Sequence, residues 1–157
     1  MSISHKIVPS LWFAHNDCEE AVRYYVSVFP DSHIDSITYY PDENLDVHFQ
    51  GMTNKVLTAV FSLNGQDFIA LDGGPEFQFN EAISFTIDCA DQAELDYYWG
   101  KLSHVAAAEQ CGWAKDRYGL SWQIVPANIA ALTQTPAQIQ ALMQMKKIDI
   151  ATLAALG

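Results

Sequence analysis

Positive charge is scarce in this chain. Eight lysines and arginines stand against nineteen aspartates and glutamates, a formal net charge of −11. Such a surface repels phosphate backbones and anionic lipid at long range, so neither nucleic acid nor a membrane is an expected partner. The plainer consequence of that acidity is solubility. Long apolar runs are missing too: no stretch approaches a membrane span, and the first residues lack the apolar core of a secretory signal, so a cytoplasmic protein is expected. Cysteine is sparse and irregular. Cys18, Cys89 and Cys111 are odd in number and show no CxxC spacing, which predicts free, mostly buried thiols in a reducing compartment. The five histidines, His5, His15, His33, His48 and His104, fall near strand ends or loops without metal-ligand spacing.

What is present is a globular balance. Half of the 157 residues are hydrophobic and 17% are charged, enough for one domain or two small fused halves with a real core. The most informative stretch is Cys111–Pro126, CGWAKDRYGLSWQIVP. Asp116, Arg117, Tyr118 and Gly119 supply turn chemistry, and Leu120 to Val125 read as a strand. Along it Ser121, Gln123 and Val125 share one face, and Leu120, Trp122 and Ile124 the other. That contrast suggests a sheet with helices on one side and a lined cavity on the other.

In chain order, residues 6–13 (KIVPSLWF) suit a first or edge strand. Asn16 is read as the cap of a helix, with Glu19 at the reciprocal position and Cys18, Ala21, Val22, Tyr25, Val26 and Phe29 at helical spacing before Pro30. Residues 33–40 are a strand candidate, and a loop runs from Pro41 to about Asn54. Residues 56–63 and 67–71 form a hairpin around Asn64-Gly65. The second half repeats the order. A strand over residues 82–88 leads to a helix capped by Asp91, with Glu94 three residues on and Leu95, Tyr98, Trp99 and Leu102 as its apolar stripe. Short strands follow around residues 104–110 and 112–114, and then 120–125. The segments DCEEAVRYY and DQAELDYY are alike and each follows a strand, so the chain reads as a duplicated βαβββ unit. The expected division is a first module over residues 1–75, a second over 76–126 and a helical tail over 127–157, together one domain. In the tail, Thr135-Pro136-Ala137-Gln138 is a capping box with proline at the first helical position. Ile139, Leu142 and Met143 are its apolar face, expected to pack on the sheet edge or a partner subunit, and Asp149 caps a last turn carrying Ile150, Leu153 and Ala154.

These features carry a resemblance. The Tyr24, Tyr25, Phe29, Pro30 pattern, LDGGP (Leu71–Pro75), FNEAISF (Phe79–Phe85), the CGW triplet, DRYGLSWQIVP and KKIDI (Lys146–Ile150) are together similar to the PhnB-like group of the vicinal oxygen chelate superfamily, which also holds glyoxalase I and the bleomycin-resistance proteins. Members of the group are often labelled 3-demethylubiquinone-9 3-methyltransferase. The resemblance implies an α+β fold, two βαβββ modules forming a cup-shaped mixed sheet, and a homodimer. It also implies where metal ligands sit in the superfamily's enzymes. Those positions fall here on Pro9 or Ser10, Ala70 (with Asp72 two residues on), Ala82 and Gln123. Such neutral side chains cannot hold a divalent metal, so no metal and no other cofactor is expected.

A small and polar lining with aromatic walls remains, and it is what a small-molecule site needs. Alternation places Ser10, Trp12, Phe68, Ala70, Asp72, Ser84, Thr86, Ser121 and Gln123 toward the interior, and Ile83, Phe85, Ile87, Trp122 and Ile124 toward the helices. Trp113, Phe49, Phe77 and Phe79 could close the mouth. The expected ligand-binding set is Ser10, Trp12, Phe49, Asp72, Ser84, Thr86, Trp113 and Gln123, although such residues also simply fill barrels. Cys111 reads as a structural thiol, since no His or Lys adjoins it. The Asp72-Gly73-Gly74 run fails as a methyl-donor or dinucleotide loop, because Pro75 and another strand follow where a helix should begin. Two function classes stand. One is a metal-free protein holding a small organic ligand; the other is a superfamily enzyme using Asp72 and Gln123 for isomerase, lyase or transferase-type chemistry.

Overall fold

The computed structural model describes residues 5–157; residues 1–4, the start of the expected first module, lie outside the described residues. The chain divides into two compact units, Met1–Gln78 and Phe79–Gly157.

In the first unit, β1 (Ser10–Phe13) leads to α1 (Cys18–Val28), then β2 (His33–Tyr39), β3 (Val56–Leu63) and β4 (Gln66–Asp72). The sheet order is β1-β4-β3-β2, with β1 parallel to β4 and the other pairs antiparallel. Asn64 and Gly65 both take positive φ, the type I′ geometry that matches strand twist and joins β3 to β4. The core forms where α1 lays Cys18, Ala21, Val22, Tyr25 and Val28 on one sheet face. Leu11 and Phe13 of β1, Ala59 and Phe61 of β3, and Phe68 and Ala70 of β4 meet it. Phe61 and Phe68 stack at 5.4 Å.

Two expectations about this unit change. Asn16 does not cap α1; it takes φ +59, and the cap position falls to Asp17, whose side chain makes no capping bond. Glu19 instead binds Arg23 and the Tyr39 hydroxyl. The orphan amide at the helix start goes to Asp72, which accepts from Cys18 N at 3.0 Å. The second change concerns β4. Its register pairs Leu11 with Ala70 and Phe13 with Asp72, so Phe68, Ala70 and Asp72 lie on the helix side. Ser10, Trp12, Ile69 and Leu71 occupy the opposite face. Alternation had put Ser10, Trp12 and Asp72 together; paired residues share a face, and the pairing separates them.

In the second unit, β5 (Phe85–Cys89), α2 (Gln92–Leu102), β6 (Trp113–Lys115) and β7 (Ser121–Pro126) give a sheet of order β5-β7-β6, with β5 parallel to β7. Asp91 accepts from Glu94 N, and the Glu94 carboxylate reaches back to Ala90 N. The strand expected around residues 104–110 is a 3₁₀ turn, Ala106–Ala108, plus a single bridge from Gln110 to Trp113. Three successive alanines offer no branched side chain to a pleat. Phe85, Ile87, Ala114, Trp122 and Ile124 share the α2 side of this sheet, whereas Ile83 precedes β5 and is exposed.

The hairpin between β6 and β7 is organised by Asp116, 1% exposed. Its carboxylate accepts from Tyr118 N, Leu120 N and Trp122 Nε1 at 2.9, 3.1 and 2.8 Å. After Pro126 come α3 (Pro136–Gln144), with the expected capping box, and α4 (Ile150–Ala155), capped by Asp149. The inward side of α3 carries a polar residue. Gln138 is buried, its amide bonded to Gln134 N, Thr135 N and Leu153 O, whereas Ile139 and Met143 are about half exposed.

The CGW turn receives the tail. Cys111 N and Gly112 N donate to Met145 O and Lys146 O. A Cβ on Gly112 would come within 2.8 Å of Ile148, and φ is +86 there, so glycine is required. Cys111 Sγ lies 3.7 Å from Met143 Sδ. Cys18 and Cys89 are fully buried, and burial pushes both thiols up, Cys89 to about 12. The reactive form is the thiolate. At pH 8 a disulfide reagent should therefore titrate one thiol per native chain, Cys111, and three after denaturation. Fast loss of three native thiols would contradict the packing.

Candidate functional site

The structure brings four of the expected site residues together on one face of the second sheet. Register sets Thr86 beside Gln123 on β7, and Gln123 beside Trp113 on β6, so the three form one row across the strands. Ser84 precedes β5, and its Oγ receives Gln123 Nε2 at 2.9 Å. The next row on the same face holds Ser121 and Lys115. Lys115 is ion-paired with Glu81, and that bond holds the Glu81 carboxyl below the usual carboxylate range. The face therefore carries neutral amide and hydroxyl groups, one indole wall, a charge pair closed on itself and, one row beyond Thr86 and Gln123, the exposed Asp88 carboxylate beside Val125. Ser121 was expected on this side, but its buried hydroxyl carried no sequence signal beyond alternation.

The first unit holds the other four. Ser10 is exposed on the face of its sheet away from α1, and Trp12 is half-buried beside it. Trp12 Nε1 donates to Gly74 O at 2.9 Å, and Phe77 meets its ring edge-on at 4.9 Å. A Cβ on Gly73 would lie 2.1 Å from the indole. The Gly73-Gly74 pair is thus the seat of a tryptophan, and no helix begins after it. Phe49 lies in the short 3₁₀ turn Val47–Phe49 and packs edge-on against Tyr40 at 5.3 Å. Asp72 is 2% exposed, with one carboxylate oxygen on Cys18 N and the other on Val56 N. Its carbonyl accepts the Tyr40 hydroxyl, and burial, then the Asp72 charge, raises that phenol above its ordinary range. Each carboxylate oxygen thus accepts one buried backbone amide.

The resemblance implied metal ligands at Pro9 or Ser10, Ala70, Ala82 and Gln123; register turns Ala70 to the α1 side, and Ala82 precedes β5. Open-face residues of these strands are Ser10 and Trp12 on β1, Ile69 and Leu71 on β4, Thr86 and a lone carboxylate, Asp88, on β5, and Gln123 on β7. A divalent metal needs carboxylates, imidazoles or thiolates in convergence. These side chains do not fit one, and among the described residues no three His, Cys, Asp or Glu side chains converge.

A separate concavity of about 710 Å³ lies in the second unit, lined by residues including Asp91, Gln92, Asn128, Asp149 and Ile150. Asp91 and Asp149 each cap a helix there. No expected site residue faces it.

Comparison with known proteins follows the same lines. Residues 5–125 match the model of the family described as 3-demethylubiquinone-9 3-methyltransferase. Among solved structures, a PhnB protein from Bacillus cereus is 34% identical, with 78% of this chain and 98% of that chain covered and a TM-score of 0.65. Protein PA1353 from Pseudomonas aeruginosa is similar in fold, with 18% identity, 78% and 97% coverage and a TM-score of 0.57. No curated protein gives a significant match. Two small mixed α+β sheets, terminal helices and these neighbours agree with the glyoxalase-like fold. The chain belongs to the PhnB-like, 3-demethylubiquinone-9 3-methyltransferase family.

Proposed function

We propose that this PhnB-like protein binds a small, uncharged organic ligand on the polar face of its second sheet, without a metal. The supporting observation is the row Thr86–Gln123–Trp113 with Ser84 attached, which places hydrogen-bonding groups beside an aromatic wall. The competing reading, acid–base chemistry by Asp72 and Gln123, is weakened by Asp72. A general base must reach substrate, and Asp72 is 2% exposed on the α1 side of its sheet, with a backbone amide on each oxygen. The family's name describes methyl transfer to a demethylubiquinone, which makes hydroxylated ring compounds the first members of a ligand screen. Bound ligand should raise the melting temperature by mass action, with metal-stripped protein responding equally. A response that requires added divalent metal would overturn the proposal, as would Gln123→Ala that leaves the shifts intact.

We also expect a homodimer. Ile139 and Met143 stand one helical turn apart on the outer side of α3, 47% and 52% exposed. A twofold mate would cover them with one isologous contact, and at physiological salt like charges are screened beyond about 8 Å. Sedimentation at micromolar concentration should give twice the chain mass, and Ile139→Asp with Met143→Asp should reduce it. A wild-type monomer refutes the expectation.

A further inference from the structure

We infer that Ser121 Oγ is a ligand-binding atom of this face, completing with Ser84 and Gln123 a neutral donor–acceptor set for a planar compound carrying a carbonyl and a hydroxyl. This rests on the binding reading above and extends it to a residue and a ligand class. Ser121 is 1% exposed, and among the described residues its hydroxyl is the buried side-chain polar atom left without a hydrogen-bond partner. A buried hydroxyl in that state costs stability and calls for a partner. Its place on β7 shows where one would come from. Ser121 and Gln123 are two residues apart on the same face, about 7 Å along the strand. The Ser84–Gln123 bond uses one group from each side chain. Whichever way the amide is turned, this pair keeps at least one donor and at least one acceptor for a third molecule. Ser121 adds a hydroxyl that can do either.

The class of ligand follows from charge and shape. Every free polar group of the set is neutral, and the one ammonium on this face, Lys115, is already paired with Glu81. An anion would lose its hydration here with no free cation to receive it, and the exposed Asp88 carboxylate on the same face would repel it. Trp113, across from Gln123, offers a flat wall that favours a ring.

The test compares wild type with Ser121→Ala, titrated calorimetrically with 4-hydroxyacetophenone as neutral probe and 4-hydroxybenzoate as its anionic counterpart. The expected result has two parts. Ligand-free Ser121→Ala melts at or above the wild-type temperature, because an unpaired hydroxyl is removed, and it binds the neutral probe roughly tenfold more weakly. Equal binding by the two proteins overturns the inference and leaves the binding reading standing. A lowered ligand-free melting temperature also overturns it, since the hydroxyl would then have an internal partner. Preference for the anion overturns the ligand class. Wild type indifferent to both probes overturns the inference together with the reading beneath it.

Discussion

Replacing Asp72 by alanine should remove about 3–5 kcal/mol of stability. Two backbone amides, Cys18 N and Val56 N, point at its carboxylate in a region where Cys18 and Val56 are at most 1% exposed. Hydrogen bonds to a charged acceptor contribute about 1.5–3 kcal/mol each, and removing the acceptor leaves both donors dry and unpaired. The charge also sits at the start of α1, where the helix dipole favours an anion. Asp72→Asn keeps the shape but turns an amide donor toward one of the two N–H groups, so about 2–3 kcal/mol is expected. Chemical denaturation with matched m-values is the measurement. An Asn variant within about 0.5 kcal/mol of wild type, the usual range of an inconsequential surface change, would show that the carboxylate is dispensable.

Asp116 should prove nearly as costly. Asp116→Ala takes the acceptor from Tyr118 N, Leu120 N and the Trp122 indole together, for an expected loss of about 3–4 kcal/mol. The more discriminating experiment is a cycle with Trp122→Phe, which removes the indole donor and keeps an aromatic ring in the core. Asp116→Asn alone can retain both backbone amides but presents an NH₂ to the indole N–H. Removing that N–H relieves the clash, so the double variant should lose about 1–2 kcal/mol less than the sum of the singles. Strict additivity would mean that the indole bond contributes nothing.

These two aspartates show what the sequence could and could not convey. Asp116 stands in a recognisable turn, DRYG, two to six residues from everything it holds, and local chemistry of that kind is legible. The face of β7 was legible for a similar reason: SWQIVP alternates cleanly, and its neighbours keep phase with it. Asp72 was not. Alternation gives parity within a strand, but the phase between strands is set by register, and the Leu11–Ala70 pairing turned Asp72 toward α1. Its partner Cys18 lies 54 residues away, beyond any local pattern. The misread cap at Asn16 is the same error seen from the other end. Because a distant carboxylate serves the helix start, the local residues did not need to form a capping box. On α3 the spacing of Ile139, Leu142 and Met143 showed an apolar stripe but not whether the sheet edge or a partner subunit covers it. The buried Gln138 is satisfied by contacts with the preceding residues and α4 that periodicity does not encode.

The Asp72 latch also bears on the order in which the first unit is made. During synthesis the α1 sequence leaves the ribosome well before Asp72, and an isolated eleven-residue helix is marginal in water. Its first turn gains the carboxylate only when β4 arrives, at the cost of closing a loop of about fifty residues. Docking of β4 alongside β1, completion of the helix start and anchoring of Val56 are therefore one event. Until it occurs, the nascent chain exposes a half-formed apolar helix, and that interval is when premature contacts between neighbouring chains are most hazardous.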